Sequence, residues 1–184
     1  VGDWSSDVCS SDLTGINEIF WEDAAVTAQT MQIRNRPCRI YGEPHAEYLL
    51  LQMTGEHEVQ SMDDEVAAIA QSAHQFLFAA IPVENWNDAL SPWKSPAVWG
   101  KQGFGGNAAD TLRFLTEQII PSLKQQYPLP ENVKIILGGY SLAGLFALWA
   151  STQANLFCGI AAASPSVWFP GWMEFEQQRQ IGRA

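Results

Sequence analysis

The sequence predicts an α/β fold: a mostly parallel sheet with helices on both faces. Two observations carry this. Short apolar runs rich in β-branched and aromatic residues alternate along the chain with segments of helical spacing, and such alternation folds into a parallel sheet covered on both sides. Several of the runs are apolar throughout, as strands buried on both faces require. A chain of 184 residues, 47% hydrophobic and 11% aromatic, can bury one sizeable core, so a single domain is expected.

The elements follow in order. Residues 27–33 and 38–41 read as early strands separated by a charged turn that ends in Pro37. "EYLLLQM" (47–53) is the next strand. Residues 61–73 read as a helix, with Ser61 as the cap, Asp64 three residues on, and Met62, Val66 and Ile69 or Ala70 at helical spacing. "FLFAAIPV" (76–83) is again a strand. A helix over 107–127 carries Leu112, Leu115, Ile119 and Leu123 along one side, and Pro121 should kink it. Residues 133–137 form a buried strand, and from Leu142 the spacing of Leu145, Phe146 and Trp149 is helical, with Ala143, Gly144, Ala147 and Ala150 small enough to lie against a sheet. "FCGIAAASPS" (157–166) closes the series as a strand.

Both ends stand apart from this rhythm. Residues 1–13, "VGDWSSDVCSSDL", resemble a translated sequencing-adapter scar, and residues 180–184 resemble its partner. They are set aside as non-native, which leaves one partial domain over 14–179 and implies a longer natural protein.

Charge and cysteine usage narrow the function. The formal charge is −10 and no Lys/Arg cluster occurs, which argues against nucleic-acid or membrane-surface binding. No apolar stretch approaches the roughly 18 residues of a membrane span, and no basic segment followed by an apolar one opens the chain. A cytoplasmic protein is expected. Cys9, Cys38 and Cys158 are too few and scattered for a disulfide framework or zinc cluster, so reduced, buried thiols are expected. No metal or organic cofactor is implied. "GFGGNAADTL" lacks the Lys-Ser/Thr of a phosphate loop and the spacing of a dinucleotide fingerprint, and reads as a helix start.

The chemistry concentrates at Gly139-Tyr140-Ser141-Leu142-Ala143-Gly144. This is Gly-x-Ser-x-Gly with alanine in the fifth place and glycine one later. A nucleophile elbow turns so sharply from strand to helix that bulky neighbours would collide, and alanine is small enough to fit. A serine at the helix N-terminus also sets the Leu142 N–H toward a developing oxyanion. The plainer reading is a polar residue at a turn.

Residues 84–106 hold three tryptophans, two prolines and four glycines without clear periodicity. They follow the C-terminal end of a strand, where open α/β sheets bind ligands. Trp86, Trp93, Trp99 and Phe104, with Trp168 from the later "SPSVWFPGW", are expected to wall a pocket for an apolar or planar group; the alternative is a hydrophobic cluster pinning a long loop.

"GGYSLAGLFALWA", "ASPSVWFPGW" and "NDALSPWKSPAVWGKQGFGGNAADTL" together resemble the putative-esterase branch of the α/β-hydrolases, which includes esterase D-like and enterochelin-esterase-like proteins. The resemblance runs from about residue 47 to 175. It implies an α/β-hydrolase fold, truncated before its C-terminal strands, and a Ser-His-Asp hydrolase of carboxylic esters or thioesters. Ser141 would be the nucleophile and the Leu142 amide one oxyanion donor. "MTGEHE" stands where the family more often has a His-Gly-Gly turn, and there Gly55, ahead of Glu56, would be the second donor.

What the chain lacks is as informative. In this fold the acid and histidine follow the serine, yet only 43 residues follow Ser141 and none is a histidine. His45, His57 and His74 all precede it; His57 lies on the expected oxyanion loop but reads as an ordinary loop histidine. Nothing singles out Glu174 or Glu176 as the acid. A serine without a base is a poor nucleophile, so the chain itself should turn over little while its complete parent hydrolyses a small-molecule ester. An acyltransferase on the same serine and a non-catalytic binding module are the alternatives.

Overall fold

The computed structural model describes residues 28–55, 58 and 62–181. Thr27, Ser61, Cys9, Glu56, His57 and residues 1–13 and 182–184 lie outside the described residues. The central sheet has six strands: β1 (Gln29–Ile33), β2 (Arg36–Gly42), β3 (Tyr48–Gly55), β4 (Phe76–Val83), β7 (Lys134–Tyr140) and β8 (Phe157–Ala163), in the order β1-β2-β4-β3-β7-β8. β4, β3, β7 and β8 run parallel, and β1 and β2 add antiparallel strands at one edge. The mostly parallel sheet expected from the sequence is therefore present.

β4 carries no exposed residue over its eight positions, because it lies between β2 and β3 and is covered on both faces. Alternate residues divide the core, as the period of two in a strand demands. Leu49, Leu51 and Met53 of β3 join Leu77, Ala79, Ile81 and Val83 of β4 in the larger cluster, under helices α2 (Trp86–Leu90), α3 (Ala108–Phe114), α4 (Ile120–Gln126) and α5 (Leu142–Gln153). On the other face Tyr41, Phe76, Phe78 and Ala80 pack on Met62 and Val66 of α1 (Met62–Ala70). Both faces carry helices, but unevenly. Beside α1 a groove of about 790 Å³ lies open over β3, β7 and β8, lined in part by Gln52, Ile69, Ile136, Gly138 and Ile160.

Four expectations are corrected here. Pro37 does not end a turn; it lies within β2, in the stretch that has no β4 partner, where a missing N–H breaks no hydrogen bond on that side. The helix expected over 107–127 is not one continuous α-helix, and Pro121 falls in the first turn of its last part, α4. Leu115–Ile119 forms a π-helical turn between α3 and α4, in which the Ile120 N–H donates to the Leu115 carbonyl, and the wider turn gives the proline ring room ahead of its own first-turn position. Residues 84–106 are not without structure: they hold α2 and a two-stranded ribbon, β5 (Lys94–Ser95) with β6 (Phe104–Gly105). Cys158 is exposed, since the residues of β8 are only partly covered; Cys38 is buried as expected. The last helix, α6 (Trp172–Ile181), continues two residues into the segment set aside as a scar.

Candidate active site

β7 ends at Tyr140 and α5 begins at Leu142, so a single residue, Ser141, makes the turn between them. It does so at φ 56° and ψ −117°, a conformation that L-residues seldom adopt. Three backbone hydrogen bonds hold it: its N–H donates to Ala163 O at 3.0 Å, and its carbonyl accepts from Leu145 N–H at 3.1 Å and from Ser166 N–H at 3.0 Å. The neighbouring small residues are explained by contact. A Cβ at Gly139 would lie 2.6 Å from the Ala143 Cβ and 2.5 Å from its carbonyl carbon, and one at Gly144 would lie 3.2 Å from Pro165. The extra glycine thus admits the segment that follows β8.

That segment brings a residue the sequence reading missed. Ser166 is 1% exposed, and its Oγ lies 3.1 Å from the Ser141 Oγ. The two are 25 residues apart in the chain, but the parallel pairing of Tyr140 with Ala163 sets them side by side.

Leu142 opens α5, and the first N–H groups of a helix have no intrahelical acceptor. Its amide, in the first turn, has no acceptor within the helix. Gly55 ends β3; β3 and β7 pair Tyr48 with Lys134 and Gln52 with Gly138, and continuing that register by three residues sets Gly55 level with Ser141. Its N–H donates to a carboxylate oxygen of Glu58 at 3.1 Å, so this donor already binds an anion.

The aromatic residues divide. Trp93, Trp99, Phe104 and Trp168 form one connected group with Phe169 and Phe175: Trp99 meets Trp168 edge-on at 4.4 Å, Phe104 meets Phe169 at 5.1 Å, and Trp93 meets Phe169 and Phe175 at 5.6 Å each. The Trp93 indole N–H donates to Pro170 O at 2.8 Å. The group ties residues 84–106 to the segment following Ser166. Within it Trp93 and Phe104 hold the two segments together, while Trp99 and Trp168 are 68% and 46% exposed. Trp86 does not join them; on α2 it packs against the main core.

The histidines are placed by topology. His45 precedes β3 and His74 precedes β4, so both lie at the amino ends of parallel strands, whereas Ser141 follows a carboxyl end. From Lys134, level with Tyr48 and Phe76, to Ser141 is seven residues, about 23 Å at the rise of a strand. Neither reaches the serine. Glu176 is engaged by Arg179 at 2.7 Å, and Glu174 is exposed on α6. Among the described residues no group of three or more His, Cys, Asp or Glu could hold a metal, and no helix is long and apolar enough to cross a membrane.

A serine at positive φ, turning from the carboxyl end of a central parallel strand into a buried helix, is the strand-turn-helix arrangement of the α/β-hydrolase fold. The chain belongs to the family described as "Putative esterase", which it matches over residues 53–181. Solved structures share the fold. An IroE-like serine hydrolase from Shewanella oneidensis is similar with a TM-score of 0.71 at 20% identity, covering 83% of this chain and 56% of that one. The siderophore hydrolase EstA from Aspergillus nidulans is similar with a TM-score of 0.60 at 18% identity, over 97% of this chain and 67% of that one. The BES protein from Bacillus cereus gives a TM-score of 0.59 at 17% identity, over 95% and 71%. No curated protein matches in sequence. The chain spans little more than half the length of the Shewanella protein.

Proposed function

We propose that this chain is the nucleophile-bearing part of a serine esterase that acts on small carboxylic esters or thioesters through an acyl-serine intermediate. The observation that carries the reading is Ser141 itself, held by three backbone hydrogen bonds in a strained turn at the mouth of the sheet. Strain of about 1–3 kcal/mol persists at a position where the surroundings enforce it, and such positions gather at functional sites. In the reaction the Ser141 Oγ gives its proton to a base and attacks the acyl carbonyl, the Leu142 N–H and, once Glu58 yields it, the Gly55 N–H donate to the oxyanion, and the alcohol or thiol departs with that proton. Water then releases the acid and restores the serine.

The base and the acid belong to the part of the natural domain beyond these residues. His45 and His74 lie at the wrong end of the sheet, and the Shewanella relative is about one and a half times as long. On this reading the domain is single and partial, residues 14–179 are its native portion, and the chain alone has little turnover. Its place is the cytoplasm. The exposed faces of Trp99 and Trp168 favour substrates with a planar or apolar group. The Aspergillus neighbour is named a siderophore hydrolase, which makes such esters a sensible first panel.

The same missing histidine favours a second reading, a binding module that keeps the fold without the reaction. One experiment separates them. The protein extended to the natural length of its relatives is incubated with a fluorophosphonate and compared with Ser141→Ala. Labelling that vanishes in the variant supports the esterase; an unlabelled wild type supports the module. Product analysis with and without an alcohol then distinguishes hydrolysis from acyl transfer.

A further inference from the structure

Ser166 has no part in the reaction as set out above, yet every one of its polar groups is committed. Its N–H donates to the Ser141 carbonyl at 3.0 Å, its own carbonyl accepts from the Phe169 N–H at 3.0 Å, and its hydroxyl meets the Ser141 hydroxyl at 3.1 Å. At 1% exposure it has almost no access to water. A buried hydroxyl normally takes a hydrogen-bond partner from the protein, and here that partner is the candidate nucleophile.

We infer that Ser166 is a positioning residue for Ser141, one that fixes the nucleophile's side chain and donates to its oxygen as the proton leaves. This rests on the esterase reading. Two physical effects combine. A serine side chain on an open turn has three staggered wells, and one short hydrogen bond to a fixed neighbour selects among them. Either hydroxyl can be the donor at this separation, so the pair can reverse. While Ser141 keeps its proton it can donate to Ser166; when a base takes that proton, the Ser166 O–H turns and donates to the oxygen that now carries charge. Hydrogen bonds to a charged oxygen are about twice as strong as those between neutral groups, so the contact favours the attacking state over the resting one. No bond to Ser166 forms or breaks, and no proton leaves the pair except to the base.

The position cannot drift. Ser166 follows β8 directly, Pro165 before it packs within 3.2 Å of the space beside Gly144, and the Ser166 and Ala163 backbones grip Ser141 from one side. Removing the hydroxyl alone leaves all of these backbone contacts in place.

The test measures fluorophosphonate inactivation of the extended protein, resolved into the binding constant KI and the limiting rate kinact. For Ser166→Ala we expect KI within about 2-fold of wild type and kinact lower by roughly 10- to 100-fold, the range for losing a hydrogen bond to a charged group. Ser166→Thr, which restores a hydroxyl, should recover most of that rate. A purely structural role would instead lower the melting temperature and change KI with kinact. Should Ser166→Ala fail to fold, Ser166→Cys, close in volume and a weak donor, carries the test with a smaller loss of kinact. Wild-type kinact in a folded Ser166→Ala, or a loss that Ser166→Thr does not recover, overturns the inference and leaves the esterase reading standing. A wild type that does not react at Ser141 overturns the esterase reading itself.

Discussion

Gly139→Ala is the substitution most sharply constrained by the geometry of the turn. A methyl group there would lie 2.5 Å from the Ala143 carbonyl carbon, 2.6 Å from its oxygen and 2.6 Å from its Cβ. Ordinary contact between such atoms begins near 3.4 Å, so β7 and α5 would have to part by about 0.9 Å. They cannot part freely, because the Ser141 N–H is bonded to β8 and the Ser141 carbonyl starts α5. Overpacking of a rigid core costs about 1–3 kcal/mol and more when backbone must move, so we expect about 3 kcal/mol of destabilisation. At this chain length that corresponds to a fall of about 6–12 °C in melting temperature. Urea denaturation measures the first quantity and a thermal melt the second. Two companions sharpen the result. Ala143→Gly removes the Cβ contact but neither backbone contact, so the double variant should regain less than half of the loss. Gly159→Ala places its methyl 3.5 Å from Ile136, an ordinary distance, and should change stability by no more than about 0.5 kcal/mol. A Gly139→Ala protein within 0.5 kcal/mol of wild type would refute the account of the elbow.

Other outcomes follow from burial. Cys158 should react with a disulfide reagent in the native protein while Cys38 reacts only on unfolding, measured in a Cys9→Ser background; fast labelling of Cys38 would contradict its burial. Burial pushes the Cys38 thiol up from 9.0 to about 11, which means the folded state favours the neutral form. Its contribution is intact below pH 9 and is lost as pH rises toward 11, so by pH 11 wild type should lose about 2 kcal/mol more than Cys38→Ala, as equilibrium unfolding at the two pH values will show. Trp93→Phe loses the hydrogen bond to Pro170 O together with the pyrrole half of the indole; a destabilisation of at least about 1 kcal/mol in urea is expected, and none would mean that neither the bond nor those contacts hold the two segments.

The sequence was most legible where local pattern and burial agree. "FLFAAIPV" is apolar at every position because β4 is covered on both faces, and its observed bounds are those read from the chain. Where one residue carried two signals, the reading slipped. Pro37 marks a turn in most contexts but sits in a strand here, where β2 runs past its partner. The strand after α5 stops at Ala163 because Ser164 takes φ 43° and Pro165 follows, although the apolar run suggested three residues more. α2 is five residues long, too short to show a helical period. At the site, the elbow was readable because one stretch of chain builds it. Ser166 was not, because only the pairing of β7 with β8 brings it to Ser141, and no pattern within either segment records that pairing.

The β3 to β7 pairing joins residues 86 positions apart, Tyr48 with Lys134, while β3 and β4 meet after only 28. Contacts of long separation form slowly, since a large loop must close before any of them is gained. The bonds that hold Ser141 are closer in the chain, reaching Ala163 and Ser166, 22 and 25 residues on. The turn can therefore form within the β7-α5-β8 unit before that unit docks on β3. Until that docking the β7 side of β3 has no partner and lies open to other chains, so the yield of native protein should depend on dilution.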